Sequence, residues 1–419
     1  MNVPRTMITS VRRAVVFLVA AVVTASIGAA SAEPSLQGGA TEAAADFVAA
    51  AQARLAFGLM EKIGAGPAQQ ATISPASLAA AFNLVSIGAD PALKAAIAKV
   101  LGFPRDRADD GLAALADVRD KLANGGDSFT FADKIVFSPS NPPREILLPG
   151  LEKHRIPFEI VDLTTPEGAR KIDDWVKDVT KGMIPELLGG PVSNGSFAAL
   201  NALHFKSRWK TPFDPRQTQS GSFTGLDGKN AEVPMMRLAK GTRSFRQEKL
   251  GDRNNERNFV AIDLPFADER FSLVVVTTTG KPATVKEFTP VASWLSGGER
   301  FTPHAGDLEL PRFSAAARED LLKVLDGLGL EKARKSPLAL AGFGPGVDLS
   351  QVTQRTVIEV NEEGAEAAAA TAVIGTRTLL TDDSIHMVVD KPFIYALRDK
   401  TTGLILIAGY AGQAPKATS

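Results

Sequence analysis

The amino-acid sequence predicts an α+β fold, in which helices and strands occupy separate stretches of the chain. Helical patterns dominate the first half of the 419 residues, and strand patterns dominate the second half. Segregation of this kind is typical of α+β folds, because regular alternation of helices and strands would instead indicate a parallel α/β sheet. The length alone would suggest two or three domains. No linker or internal repeat divides the chain, so we expect one large domain.

Three stretches of the first half predict helices. Residues 41–63 carry apolar side chains at near-helical spacing. Asp90-Pro91 combines an N-cap residue with a first-turn proline, which predicts a second helix that Gly102 closes. Residues 165–182 repeat this pattern, since they begin with Thr-Pro and end with Gly.

The second half contains three clear strand patterns. Residues 271–278, 356–360 and 404–408 are rich in β-branched and other apolar side chains, which predicts strands. Residues 243–258 are strongly charged instead. We expect this charged segment to be a solvated hairpin or loop.

A run of very small side chains follows the strand predicted at 356–360. Residues 361–372 read Asn-Glu-Glu-Gly-Ala-Glu-Ala-Ala-Ala-Ala-Thr-Ala. Alanine and glutamate favour a surface helix or linker by propensity. In an extended chain, however, Ala365, Ala367, Ala369 and Thr371 share one uncharged face, and Glu366 lies on the other. The run is therefore either an exposed segment or a strand able to enter a sheet where space is tight.

Five segments together resemble motifs of the serpin family, in the order in which serpins carry them. They are Ile73–Leu78, Asn201–Asp214, Val233–Met236, the run 361–372 and Val389–Ile394. The resemblance covers about Ala45 to Gln413. It implies the serpin fold, with helices plus three β-sheets in a single domain of residues 45–414, and an exposed reactive-centre loop at about 362–385.

The resemblance also implies a function. In serpins a target protease cleaves the exposed loop and forms an acyl-enzyme. The hinge of the loop then inserts as a new strand into the central sheet and deforms the protease, a strand addition of the kind the reactive loops of serpins exemplify. We therefore expect a suicide-substrate inhibitor of serine proteases, with some cysteine proteases as further targets. The alternative is a non-inhibitory serpin that acts as a binding or chaperone module, although such relatives usually carry bulky or charged hinge residues.

The resemblance assigns three groups of site residues. The hinge comprises Glu362, Glu363, Gly364, Ala365, Glu366, Ala367, Ala368, Ala369, Ala370 and Thr371. The region where the loop enters the sheet comprises Trp209, Arg312 and Glu362, and the Arg–Glu pair could equally be an ordinary surface ion pair. The polar cluster under the central sheet comprises Ser74, Ser77, Asn201 and Gln354. Gln354 stands where serpins usually have histidine, so we expect this cluster to respond differently to pH.

The cleaved bond has two candidates. Counting from Gly364 by the usual serpin spacing places Thr378 before the cut and Leu379 after it. Arg377 lies one residue earlier and would suit a trypsin-like pocket that contains a buried acid. Both the Thr378–Leu379 bond and the Arg377–Thr378 bond remain candidates for cleavage.

The first 32 residues predict a signal peptide. Three arginines precede an apolar stretch at 14–30, and Ala30-Ser31-Ala32 offers small residues for cleavage before Glu33. The alternative is an uncleaved membrane anchor, but the apolar stretch is short for a span. We expect a secreted or periplasmic protein with an N-terminal tail at 33–44, and the alanine-rich composition suggests a bacterial source.

Composition and motifs provide no catalytic machinery. The chain has no cysteine, which excludes a thiol nucleophile, a zinc–thiolate site and a lipoprotein anchor. It has no Gly-x-Ser-x-Gly, His-Glu-x-x-His or Walker motif, and its four histidines are widely spaced. Removing residues 1–32 leaves 44 basic and 47 acidic residues, so the net charge of −3 does not indicate a nucleic-acid partner. We expect no enzyme activity, cofactor or metal, and no membrane contact after signal removal. The expected protein is a monomer whose partner is a serine protease bound covalently.

Overall fold

Helices pack mainly in the first half of the chain. The computed structural model describes residues 38–64, 69–123, 129–153, 156–182, 184–192, 197–251, 256–296, 301–349, 352–365 and 384–416. The α-helices in this part of the chain are α1 (Gly38–Gly64), α2 (Pro75–Ser86), α3 (Pro91–Val100), α4 (Ala108–Ala123), α5 (Leu148–Lys153), α6 (Pro166–Val179), α7 (Leu322–Gly327) and α8 (Glu331–Arg334). None of these helices is long and apolar enough to span a bilayer.

The helix starts follow the caps predicted from the sequence. The carboxylate of Asp90 accepts a hydrogen bond of 2.7 Å from Leu93 N–H and opens α3. The hydroxyl of Thr165 accepts one of 3.1 Å from Gly168 N–H and opens α6. The first helix begins at Gly38, which lies inside the segment predicted as an N-terminal tail.

Strands fill most of the rest. They are β1 (Gln70–Ile73), β2 (Phe129–Phe137), β3 (Phe158–Ile160), β4 (Phe197–Phe205), β5 (Ser207–Arg208), β6 (Gln219–Thr224), β7 (Asn230–Leu250), β8 (Arg257–Pro265), β9 (Phe271–Thr278), β10 (Thr302–Pro311), β11 (Phe313–Asp320), β12 (Thr353–Val360), β13 (Gly364–Ala365), β14 (Ile385–Val388), β15 (Phe393–Asp399) and β16 (Ile405–Ala411).

The long strand β7 belongs to two sheets. Its first part pairs with β6 and β10, and β10 also pairs with β14. Its second part pairs with β8, from which the sheet continues through β9, β15 and β16 to β1. A third sheet is split into a half with strand order β3-β2-β4 and a half formed by β12 and β11. The predicted α+β fold with helices and three sheets is confirmed.

The sheet that runs from β7 to β1 carries the centre of the core. Every residue of β9, β15 and β16 is buried. Such strands read as continuous apolar runs, because both faces of the sheet are covered. This core lies within residues Thr41–Ser419, which form one compact unit.

The prediction of a solvated hairpin or loop at 243–258 holds for the hairpin, because residues 244–250 of β7 pair antiparallel with 257–263 of β8. The expectation of solvation is wrong for Phe245 and Arg246, which are buried. Phe245 is fully buried, and the guanidinium carbon of Arg246 lies 3.9 Å from the centre of the Trp294 ring. An arginine can cover apolar surface with its stem and stack its charged head on an aromatic ring. The charged residues of this segment therefore belong to a half-buried strand, which their charge alone does not indicate.

The two halves of the split sheet face each other across a gap. In the described part of the chain, β4 pairs with β2 alone and β12 with β11 alone. Helix α2 packs against β4, and its side chains line the space between β4 and β12. We call this space between β4 and β12 the gap.

Candidate functional site: the hinge and the gap

The chain reverses direction directly after β12. The side-chain oxygen of Asn361 accepts hydrogen bonds from the backbone N–H groups of Glu363 and Gly364, both at 3.1 Å. An asparagine that bonds the backbone two residues ahead forms a tight turn of its own. The turn sends the following residues back along the sheet as β13.

Gly364 sits where only glycine fits without strain. Its φ angle is 142°, in the region that residues with a β-carbon rarely adopt. A β-carbon at this position would lie 2.3 Å from the carbonyl oxygen of Ser207 and 2.7 Å from the α-carbon of Arg208. The missing side chain therefore permits both the turn and the close approach of β13 to β5.

The first hinge residues already pair with the sheet. Strand β13 is antiparallel to β5, with Gly364 opposite Arg208 and Ala365 opposite Ser207. Trp209 N–H donates to Glu363 O at 2.9 Å, and the indole N–H of Trp209 donates to Asn361 O at 2.8 Å. The buried indole stacks on Phe266 with 4.5 Å between ring centres. Trp209 thus fixes the position of the first hinge residues at the end of the gap.

Glu362 anchors the turn from the other side. Its carboxylate accepts hydrogen bonds from Arg312 and, at 2.5 Å, from the hydroxyl of Thr218. Its carbonyl accepts one of 2.9 Å from Phe213 N–H. Glu362 is only 5% exposed, so the pair with Arg312 is not an ordinary surface ion pair. Burial alone would raise the pKa of Glu362, but the hydrogen bonds from Arg312 and Thr218 hold it below its usual value.

Three members of the predicted polar cluster meet at the start of α2. Ser74 N–H donates to the side-chain oxygen of Gln354, and the Gln354 amide donates back to Ser74 O, both at 2.8 Å. The Ser74 hydroxyl lies 2.6 Å from Leu406 O and 2.9 Å from the Ser77 hydroxyl. An amide uses both its donor and its acceptor here without a titrating group. Gln354 therefore links β12 to α2 in a way that pH does not alter.

Asn201 is the fourth member of this cluster and bonds elsewhere. Its amide donates to Ala132 O on β2 at 3.2 Å, while its side-chain oxygen is buried without a hydrogen-bond partner. Asn201, Ser77 and Gln354 nevertheless line the same cavity. A buried oxygen without a partner costs about 1–3 kcal/mol, so this wall of the gap favours the arrival of a donor.

The gap encloses a cavity of about 430 Å³. Its floor is α2, its two walls are β4 and β12, and its roof comes from the segment at 184–192. Most lining side chains are apolar, including Phe82, Leu203 and Val352. The cavity therefore lies in line with the hinge, between the edges of β4 and β12.

The sequence missed several residues that hold the hinge. Thr218 and Phe213 bond Glu362 although they lie 144 and 149 residues before it in the sequence. No local pattern could place them there. Asn361 did carry a signal, since an asparagine three residues before a glycine is a turn pattern.

Other predicted site residues lie outside the described part of the chain. These are the signal peptide, Glu366, Ala367, Ala368, Ala369, Ala370, Thr371, and the candidates for the cleaved bond Arg377, Thr378 and Leu379. Among the residues that the structure describes, no three His, Cys, Asp or Glu side chains come together as a metal site.

Comparison with known proteins decides the family. The family model described as Serpin (serine protease inhibitor) matches residues 50–412. This chain belongs to the serpin family. It is 28% identical over 373 residues to Serpin-ZXA of Oryza sativa subsp. japonica, which covers 82% of this chain and 90% of the relative.

Solved structures show the same fold. Serpin48 of the insect Tenebrio molitor aligns with a TM-score of 0.71 at 25% identity, covering 88% of this serpin and 98% of Serpin48. Human thyroxine-binding globulin, solved with its ligand bound, aligns with a TM-score of 0.74 at 21% identity, covering 89% and 100% of the two chains. The second likeness bears on the fold alone.

Proposed function

We propose that this serpin inhibits serine proteases as a suicide substrate, by cleavage of its reactive loop and insertion of the hinge between β4 and β12. One observation carries the proposal. Strand β13 pairs with β5 at the mouth of a gap whose two walls have no strand between them in the described part of the chain. Adding a strand there would complete the backbone pairing of two sheet edges at once.

The observed register indicates where each loop residue would go. Each step forward from Ala365 moves one residue back from Ser207, so Ala367 would face Phe205 and Ala369 would face Leu203. Both partners pack into the large core, and partners in antiparallel strands point to the same face. Alanine adds no bulk or charge there, which supports insertion.

The opposite face also suits the sequence. In the same register Glu366 would lie beside Lys206, which is exposed. Opposite charges on facing strand positions are mildly favourable. Thr371 would arrive opposite Asn201 and bring a hydroxyl donor to the wall that carries the unpartnered oxygen.

A panel of serine proteases tests the proposal. Mature protein is mixed with each protease, and the products are separated under denaturing conditions. We expect an adduct that survives SDS with at least one enzyme, because the acyl bond is trapped before hydrolysis. Cleavage of the loop by every enzyme without any adduct would favour the non-inhibitory alternative.

The same products locate the cleaved bond. Mass spectrometry of the released C-terminal peptide distinguishes a cut after Arg377 from a cut after Thr378. A cut after Arg377 fits trypsin-like enzymes, and a cut after Thr378 fits elastase-like or subtilisin-like enzymes. We retain both bonds as candidates.

Export and oligomeric state belong to the proposal as well. We propose that the chain is secreted or periplasmic, that its mature form begins at Glu33 and is monomeric, and that the source is bacterial. N-terminal sequencing of exported protein tests the first point, since a retained Met1–Ala32 segment would contradict it. Light scattering of the mature protein tests the monomer.

A further inference from the structure

The cavity in the gap has the size of a small-molecule site. Its volume of about 430 Å³ lies within the range of ligand pockets in proteins. Liquid water occupies about 30 Å³ for each molecule, so the cavity corresponds to roughly 14 water-sized groups. A ligand of about ten to twelve heavy atoms therefore fits it without a change in the fold.

The lining of the cavity favours a ligand with an apolar body. Leu78 and Val85 reach it from α2, Leu200 reaches it from β4, and Leu349 and Val352 reach it from the segment before β12. Moving an apolar chain from water into such surroundings contributes about 0.8 kcal/mol for each CH₂ group. An apolar ligand thus gains affinity from most of its length.

Two polar side chains of the lining have unused hydrogen-bonding capacity. Gln354 is only 8% exposed, and its amide nitrogen donates one hydrogen to Ser74 O at 2.8 Å. The second hydrogen of that amide has no acceptor among the described residues. The side-chain oxygen of Asn201 is buried and has no donor in the same part of the chain. The two walls of the gap therefore offer one free donor on β12 and one free acceptor on β4.

The orientation of both amides follows from their partners. The nitrogen of Asn201 donates to Ala132 O at 3.2 Å, while the oxygen of Gln354 accepts from Ser74 N–H at 2.8 Å. Flipping either amide would place its oxygen against a carbonyl oxygen, which leaves both without a donor. The free acceptor thus belongs to Asn201 and the free donor to Gln354.

A hydroxyl matches this pair of side chains. A hydroxyl both accepts and donates a hydrogen bond, whereas a carboxylate or an ether only accepts and an ammonium only donates. A buried polar group that loses its partner costs about 1–3 kcal/mol. A site of this kind therefore discriminates against ligands that can satisfy only one of the two amides.

The charged residues of the lining further disfavour anions. Asp320 and Asp348 both line the cavity and are exposed. The third charged residue of the lining is Arg355, whose guanidinium lies 3.4 Å from the Glu186 carboxylate. That carboxylate offsets the positive charge, so an anionic ligand would meet two carboxylates without a free cation.

We infer that this cavity is a binding site for a neutral, apolar alcohol with one hydroxyl group and about ten carbon atoms. The hydroxyl accepts a hydrogen bond from the Gln354 amide and donates one to the Asn201 oxygen, and the carbon chain fills the apolar remainder. This binding goes beyond the proposed inhibition and does not depend on it, because it requires only the intact fold.

Two isomeric ligands test the recognition of the hydroxyl. Decanol and methyl nonyl ether have the same formula, but only the alcohol donates a hydrogen bond. Equilibrium dialysis against the intact mature protein measures the Kd of each. We expect one molecule of decanol for each protein chain. The ether should bind about tenfold more weakly, the factor that corresponds to roughly 1.4 kcal/mol for one lost hydrogen bond. Decanoate should bind no better than the ether.

Variants test where the alcohol binds. Ala81 on α2 lines the cavity, so Ala81→Phe fills part of the space and should weaken decanol binding at least tenfold. Ala95→Phe is the matched control, because Ala95 is exposed on α3, and it should bind decanol like the wild type. Asn201→Ala removes the acceptor. In this variant the alcohol and the ether should bind equally, an effect that a general loss of stability would not produce.

The outcomes separate this site from the proposed function. Equal affinity of the wild type for the two isomers overturns the inference, and so does unchanged decanol binding in Ala81→Phe. If Ala81→Phe does not fold, the isomer ratio in the wild type and in Asn201→Ala decides the question. A wild-type protein that forms no adduct with any protease, but still prefers the alcohol, would defeat the proposed function and support the alcohol site.

Discussion

Two sheets of this protein use strands of similar length in opposite ways. Strands β9 and β15 are paired on both sides, and each is buried at every residue. Strands β4 and β12 are each paired on one side in the described part of the chain, and a cavity separates them. Strands β9 and β15 therefore have no open edge, whereas β4 and β12 each present an edge with unused pairing capacity in the described part of the chain.

Under the proposed insertion, this difference would give an already stable chain a more stable state within reach. An open sheet edge is normally a hazard, because it can pair with another chain. Here α2 lies beneath the gap, the segment at 184–192 lies above it, and strand β13 stands at its mouth. These elements of the same chain therefore cover the open edges of β4 and β12. We expect the intact form to be kinetically trapped.

Loop cleavage should have the largest effect. A nick in an exposed loop normally loosens a protein. In this serpin, cutting within Arg377–Leu379 should instead raise the melting temperature by roughly tens of degrees, because the freed loop would add a strand between β4 and β12. For comparison, a change of about 1 kcal/mol in stability moves the melting temperature by only a few degrees. Calorimetry of intact and nicked protein measures the shift, and mass spectrometry locates the nick. A melting temperature that is unchanged or lower would show that the gap does not accept the loop.

A charge on the inserting face of the loop should abolish covalent trapping of the protease. Ala369→Arg or Ala367→Glu places a charged group against the core side of the gap, where desolvation without a partner costs several kcal/mol. We expect the protease to cleave these variants as substrates without forming an adduct. Glu366→Gln changes the opposite face and should inhibit like the wild type. Adducts at wild-type yield from both core-face variants would contradict the assignment of faces.

Gly364→Ala should weaken the hinge before any protease acts. A β-carbon there meets the backbone of Ser207 and Arg208 and also requires an unfavourable φ, which together cost roughly 1–3 kcal/mol. We expect a fall of about 1–4 °C in the melting temperature of the intact protein. Gly280→Ala is the control, because Gly280 has a similar φ of 146° but no atom within 4 Å of the point where a β-carbon would lie. Equal shifts in the two variants would show that close approach at Gly364 has no role.

The smallest expected effect is the pH dependence of the hinge anchor. The pKa of Glu362 is lowered in the folded protein, so its bond to Arg312 stabilises at pH values above the unfolded pKa of about 4.3. That stabilisation is lost as the pH falls through the folded pKa. Glu362→Gln should therefore lower the melting temperature most at neutral pH, with the difference shrinking toward pH 3.

The control for this pair is Glu331→Gln, which removes an exposed ion pair with Lys335. Its melting temperature should follow the wild type across the same pH range, since exposed pairs contribute little. A difference between Glu362→Gln and the wild type that stays constant with pH would mean that the charge of Glu362 does not hold the hinge.

Local patterns predicted the elements of the fold well. The caps at Asp90 and Thr165 and the apolar runs of β9 and β16 follow from side-chain chemistry within a few residues. The burial of Arg246 within the charged run at 243–250 was not predicted, because its stacking on Trp294 depends on a partner far along the chain. The type of an element can be predicted from residues close together in sequence, whereas the burial of a charged strand depends on distant partners.

The residues of the site show the same distinction between local and long-range information. The sequence alone predicts the small residues of the hinge and the need for Gly364, because these features depend on side-chain size and backbone freedom. The bonds that hold Glu362 are not predicted in this way, because Phe213, Thr218 and Arg312 meet it only once the fold is formed. The resemblance to serpins assigned Arg312 to Glu362 but did not indicate Thr218 or Phe213.

Hydrogen exchange before and after loop cleavage tests the central claim most directly. Peptides from β4 and β12 are compared with peptides from β9 and β15, and the loop peptide that starts at Ala365 is followed in both forms. We predict that cleavage strongly protects β4, β12 and the loop peptide and leaves β9 and β15 unchanged, because the new strand pairs with the two open edges alone. A loop peptide that still exchanges freely after cleavage, with β4 and β12 no better protected than before, would contradict the account.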